Sequence, residues 1–157
     1  MGGSQHVAFH PQILAFMFHC SRYSTAMDHL KDQFPWKLTA VMLNNLYRSC
    51  KFDLRIDSEE FPGPYRSDTP RPLPEDYAMR GLVYTEDYYP VSWFRDSKVE
   101  EDEKYFELAS MTDARKERLL WIGRQLASSG LWLTWDDEAS KFGVKEPYSK
   151  AADDVIL

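Results

Sequence analysis

Residues Thr112 to Val144 constrain this chain more than any other stretch, because they combine an amphipathic helical period, a helix stop and two short aromatic runs in immediate succession. Leu119, Ile122, Gly123 and Leu126 recur at three- and four-residue steps, and Leu120, Trp121 and Ala127 widen the stripe. Thr112 or Asp113 supplies an oxygen acceptor for the free N–H groups of a first turn, which predicts the helix start there. Gly130 predicts its end, since a helix C-terminus favours a residue that tolerates positive φ. Arg115, Lys116, Glu117, Arg118 and Arg124 fall largely on the other side and read as a solvated face. Burying one leucine or isoleucine of the stripe is worth about 1.5–3 kcal/mol, so the helix is expected in the core. Leu131 to Trp135 and Lys141 to Val144, separated by the polar cluster Asp136 to Ser140, predict a small β-hairpin beside it.

The N-terminal third predicts helices in short succession. Pro11, a favoured first helical position, leads into Ile13, Leu14, Phe16, Met17 and Phe18, a run apolar on most sides that should end near Tyr23. Ser24 or Thr25 caps a second helix carrying Met27, Leu30 and Phe34, which Pro35 closes. A third runs from Trp36 to about Cys50 with Leu38, Val41, Met42, Leu46 and Tyr47 on its buried side. The short loops between them favour antiparallel neighbours. Residues 1–51 thus read as a helical hairpin layer. Residues 52–73, with Pro62, Gly63, Pro64, Pro70 and Pro72, read as a proline-rich linker or long surface loop. Residues 74–146 hold a short helix, an aromatic loop, the closing helix and the β-hairpin, one domain with 1–51, and 147–157 form a tail. The fold class expected is mainly α: antiparallel helical hairpins with a long Pro-rich loop and a small C-terminal β-hairpin.

Within that plan Leu73 to Gly81 predicts a short helix with proline and two acids at its positive end. Tyr84, Tyr88, Tyr89, Trp93 and Phe94 then pack as a fixed loop over the core, and the acidic run Glu100 to Glu107 leads helically into Thr112. With 43% hydrophobic and 15% aromatic residues in 157, the chain can bury one sizeable core. Its longest apolar run, Ile13 to Phe18, falls well short of the roughly 20 residues a membrane span needs. Neither a leader pattern nor a myristoylation signal is present, His6 standing where the latter wants Ser or Thr.

The candidate chemical sites weigh against catalysis. His6 and His10 have helical ligand spacing but no third ligand, and His19 and His29 read as partly buried structural histidines. The acidic pairs Glu59-Glu60, Glu75-Asp76, Glu100-Glu101, Asp136-Asp137 and Asp153-Asp154 read as helix starts and solvated turns, because a metal-dependent nuclease needs carboxylates converging from several strand ends. Cys20 and Cys50, with no CxxC spacing, fit reduced thiols of a nuclear or cytoplasmic protein. No nucleophile-elbow or Walker-type pattern occurs, so neither an enzyme nor a cofactor nor a metal site is expected. The net charge of −6 disfavours phosphate binding by the whole chain. Locally, Arg80 and Arg95 flank an aromatic segment suited to stacking unpaired bases, and Arg115, Lys116 and Arg118 form the densest basic patch. These five are the candidate nucleic-acid-binding residues.

Three stretches together resemble the helical DNA/RNA-binding domain shared by the ever-shorter-telomeres proteins and the SMG factors of nonsense-mediated mRNA decay, most of all its fungal branch. The first is Ala15-Phe16-Met17-Phe18-His19 through Ser21-Arg22-Tyr23 to Phe34-Pro35-Trp36-Lys37-Leu38. The second is Leu73-Pro74-Glu75-Asp76-Tyr77-Ala78-Met79-Arg80-Gly81, and the third is Arg115 to Val144. The resemblance implies a non-enzymatic scaffold or interaction module, with protein partners from the mRNA-decay or telomerase machinery and no membrane or small-molecule substrate. A direct single-stranded RNA- or DNA-binding module is the alternative. It further implies that an upstream 14-3-3-like phosphoserine-reading domain and a downstream endonuclease lie outside the chain, which is then a truncated product or fragment of the helical region.

Overall fold

A computed structural model describes residues 4–63, 71–95 and 109–149. It is mainly α. In chain order come α1 (Ser4–Cys20), α2 (Ser24–Leu30), α3 (Trp36–Ser49), α4 (Pro74–Met79), a 3₁₀ turn (Val83–Thr85), α5 (Ala109–Ala127), and the antiparallel strands β1 (Leu133–Asp136) and β2 (Lys141–Val144). The expected helix over 100–107 lies outside the described residues, as do residues 64–70 of the proline-rich stretch and 150–157 of the tail.

The predicted stripe on α5 is the centre of the molecule. Leu119, Leu120, Trp121, Ile122 and Leu126 are all buried, and α1, α3 and β1 pack on this helix. Gly130 sits at φ +65° just past its end, and its N–H donates to the Ala127 carbonyl at 3.0 Å. The start differs from expectation: the described part of α5 already reaches back to Ala109, so Thr112 and Asp113 lie inside the helix and not at its cap. Its polar side is not solvated either. Arg115, Glu117 and Arg118 are buried, because each meets an oppositely charged partner from another segment.

Gly123 is where three elements converge. A Cβ built there would stand 2.7 Å from Leu43 Cδ1 on α3 and 3.2 Å from the Phe142 ring on β2. The missing side chain lets α3, α5 and β2 approach this closely. In the sheet, Leu133 pairs with Val144 and Trp135 with Phe142 on one face, Thr134 with Gly143 and Asp136 with Lys141 on the other. Asn44 holds the free edge of β2: its Nδ2 donates to the Phe142 carbonyl at 2.9 Å, and its Oδ1 accepts the Phe142 N–H at 2.7 Å. A buried amide thus takes the place of a third strand and leaves neither backbone group unpaired.

Other boundaries shift. α1 starts at Ser4 and carries Pro11 inside it, forgoing one intrahelical hydrogen bond at that position. α2 stops at Leu30, and a turn over 31–34 delivers the chain to Trp36. α3 keeps part of the expected face, with Met42, Leu46 and Tyr47 half-buried against the core. Its deepest residues are Trp36, Thr39, Ala40, Leu43 and Asn44, whereas Leu38 and Val41 are exposed. Residues 52–63 are a strap laid along α5, with Ile56 and Pro62 buried. Trp121 Nε1 donates to the Ser58 carbonyl at 2.9 Å. Arg55 donates through its backbone N–H at 3.1 Å and its Nη2 at 2.6 Å to the Glu117 carboxylate. Cys20 is buried and Cys50 half-buried, both as free thiols whose pKa burial pushes up. Among the described residues no helix is long and apolar enough to cross a membrane.

Candidate functional site

The densest concentration of polar chemistry lies where α4 and the aromatic segment after it meet α5. Pro74 fixes the first helical φ of α4, and Asp76 folds back so that its Oδ2 accepts the Leu73 N–H at 2.7 Å. The same oxygen accepts from Trp93 Nε1 at 3.1 Å. Its other oxygen accepts from Tyr89 Oη at 3.0 Å and from Arg118 Nη1. Asp76 is fully buried, and the four acceptor sites of its carboxylate are filled by four donors from three segments. One turn away on α5, Arg115 grips Glu75 with two bonds, Nε to Oε1 at 2.5 Å and Nη2 to Oε2 at 3.0 Å. Both partners are nearly buried.

Aromatic rings seal the node. The Arg118 guanidinium lies 4.8 Å from the Phe61 ring centre and 5.3 Å from that of Trp93, within cation–π range. Phe61, on the strap, meets Tyr88, Tyr89, Trp93 and Trp121 edge-on at 5.0–5.8 Å. Two buried atoms here, Tyr88 Oη and Arg118 Nε, have no hydrogen-bond partner among the described residues. Burial disfavours the Arg118 cation, but the charge and hydrogen bond of Asp76 together with the Tyr88 and Tyr89 phenols outweigh it, and the pKa ends above its ordinary value. Burial, reinforced by the nearby Asp76 charge, also pushes both the Tyr88 and Tyr89 phenols far above their ordinary value near 10.

A pH dependence follows from those two phenols. In the unfolded chain they lose protons near pH 10, whereas in the fold they stay neutral, so above pH 10 the unfolded state binds fewer protons and stability falls as pH rises. The stabilisation is fully present below pH 10. Thermal melting between pH 8 and pH 11.5 is expected to show this decline, and the Tyr88→Phe/Tyr89→Phe variant a shallower one. Equal slopes would contradict it.

The five candidate nucleic-acid residues are not brought together. Arg115 and Arg118, expected on a solvated face, are buried and paired with Glu75 and Asp76, so neither is open to a phosphate. Lys116 is half-buried. Arg80 and Arg95 are exposed, and Arg80 covers the Phe94 ring at 4.8 Å. Glu75 and Asp76 stand in the first turn of α4, as expected of a helix start, but both are buried. The pairs Glu59-Glu60 and Asp136-Asp137 are exposed as expected, and the remaining two acidic pairs lie outside the described residues. His19 is half-buried, its ring 5.3 Å from that of Tyr23, while His29 is exposed, against expectation. The side chains of His6 and His10 lie outside the described residues.

Among the described residues no group of three or more His, Cys, Asp or Glu side chains is arranged to hold a metal ion. With every Asp76 acceptor committed and Glu75 held at both oxygens, the node fastens chain segments together. Arg115 and Arg118 are three apart on one helix face and match the adjacent Glu75 and Asp76, a pairing that nothing local in the sequence announces. No family model, curated protein or solved structure matches the chain.

Proposed function

We propose that this chain is a non-enzymatic scaffold module, the C-terminal part of a helical DNA/RNA-binding domain of the ever-shorter-telomeres/SMG kind, acting in the nucleus or cytoplasm in nonsense-mediated mRNA decay or telomere maintenance. In this reading the helices of residues 1–51 form antiparallel hairpins, and 52–73 is a long proline-rich surface loop. One observation supports it above others: the three stretches that carry the resemblance are fastened to one another. The Leu73–Gly81 stretch joins the Arg115–Val144 stretch through Glu75–Arg115 and Asp76–Arg118. The Ala15–Leu38 stretch joins it through Trp36, whose ring stacks on Trp132 at 5.8 Å. Polar groups spent on holding segments in place suit a module that presents a fixed surface to protein partners.

The test is thermal melting of the chain mixed with a 14-3-3-like repeat domain of that family. Binding to the folded state raises the melting temperature, and an unchanged value counts against the reading. Direct binding of single-stranded RNA or DNA is the alternative, supported by Arg80 over Phe94 and the exposed Arg95. Anisotropy titrations with single-stranded oligonucleotides at two salt concentrations decide it. Salt-sensitive binding favours the alternative, and its absence removes it.

A further inference from the structure

A groove of about 440 Å³ opens between the C-terminal end of α3, the start of the strap and the turn after β1. Its size lies in the range of about 300–1,000 Å³ typical of ligand sites. Tyr47, Cys50 and Trp135 line it together with three carboxylates, Asp53, Asp57 and Asp137. The Asp57 and Asp137 side chains are 80% and 89% exposed, and among the described residues the lining contains no lysine or arginine. At its edge the chain shows what the groove accepts. Arg124, reaching from α5, lays its guanidinium 4.4 Å from the Trp135 ring centre, with Nη2 3.1 Å from Asp57 Oδ1 and Nη1 3.7 Å from Asp137 Oδ1. One arginine against three aspartates leaves these four groups with a net charge of −2 beside three aromatic side chains, Tyr47, Phe52 and Trp135.

We propose that this groove docks an arginine-bearing segment of a partner protein, whose guanidinium enters beside Arg124 to lie against Tyr47 or Trp135 and donate to Asp53 and Asp137. A guanidinium fits better than other occupants on three counts. Its planar fork matches carboxylate oxygens, it is weakly hydrated, and it stacks on aromatic faces. An apolar segment would cover Asp53 and take solvent from Asp57 and Asp137, which share the single Arg124 as partner. A phosphate-bearing chain would be repelled by them. The inference stands apart from the family reading, since the groove can hold such a segment whatever the rest of the module does.

The experiment is an anisotropy titration of the full chain with a fluorescein-labelled octapeptide of alternating glycine and arginine, alongside the same peptide with citrulline in place of arginine. Citrulline keeps the shape and removes the charge. The chain is expected to bind the arginine peptide and not the citrulline one. Asp53→Asn/Asp137→Asn should weaken binding about tenfold, corresponding to about 1.4 kcal/mol. Trp135 Nε1 donates to Asp137 Oδ1 at 2.8 Å, and the amide introduced by Asp137→Asn still offers it an oxygen. The fold should therefore survive, as a circular dichroism melt checks. A control, Asp28→Asn/Asp87→Asn, makes the same charge change at exposed positions outside the groove and should leave affinity unchanged. Equal weakening by both variants would mean diffuse attraction to an acidic surface and would overturn the proposal. Equal binding of the citrulline peptide, or no binding of the arginine peptide, would overturn it too.

Discussion

Replacing Asp76 by alanine is expected to cost the fold about 3–5 kcal/mol, the range for breaking a buried ion pair from one side. The substitution strands a guanidinium that is 4% exposed, out of reach of the solvent that would otherwise stabilise its charge. It also strips acceptors from the Leu73 N–H, the Trp93 indole and the Tyr89 phenol. Against a total stability of about 5–15 kcal/mol for an ordinary domain, such a loss is a large fraction of the whole. The urea midpoint is the measurement, and a near-native value for Asp76→Ala would refute the account of the node. A second variant separates charge from geometry. Asp76→Leu/Arg118→Met removes both charges and replaces them with apolar volume, so it should be less damaging than Asp76→Ala alone. It should still fall short of the native protein, because the same three donors remain without their acceptor.

The same node marks the boundary of what the sequence discloses. The apolar stripe of α5, the stop at Gly130 and the paired extended runs after it are local patterns, fixed by residues a few positions apart. They were legible for that reason. The fate of Arg115 and Arg118 was not, because it depends on Glu75 and Asp76 some forty residues earlier, and a charged residue on a helix reads as solvated until its partner is known. The face of α3 was legible only in part, on similar grounds. The expected Met42, Leu46 and Tyr47 do pack on the core, but two apolar stripes compete toward the start of that helix, one through Leu38 and Val41, the other through Trp36, Ala40 and Leu43. Burial goes to the second, which carries the large indole and turns Asn44 toward the edge of β2 at Phe142. A pattern that counts apolar residues scores Asn44 against burial, although its amide is what makes that face the better choice. The strap over 52–63 was masked by its own composition: its prolines and charges read as a linker, yet Ser58 and Arg55 are tied to α5 by hydrogen bonds.

Trp36→Ala is the substitution that tests this arrangement of α3, and it is expected to cost about 3–5 kcal/mol. The indole is 1% exposed, and its Nε1 donates to the Lys31 carbonyl at 2.8 Å, locking the turn between α2 and α3. Phe34 meets the ring edge-on at 4.6 Å, and Trp132 stacks on it at 5.8 Å with an interplanar angle of 11°. Trp36→Phe should cost less, since a ring remains to fill the space while the Lys31 carbonyl loses its donor. If the stack with Trp132 matters beyond the area both rings bury, a double-mutant cycle of Trp36→Ala and Trp132→Ala will return a coupling of about 0.5–1.5 kcal/mol. Additive costs would mean that the two rings stabilise the fold separately. Exposed Leu38 supplies the internal comparison: with its side chain already in water, Leu38→Ala should change the urea midpoint little, within about 0.5 kcal/mol. A large loss at Leu38 together with a small one at Trp36 would mean that α3 presents its other face to the core, and the placement of Asn44 on the edge of β2 would fall with it.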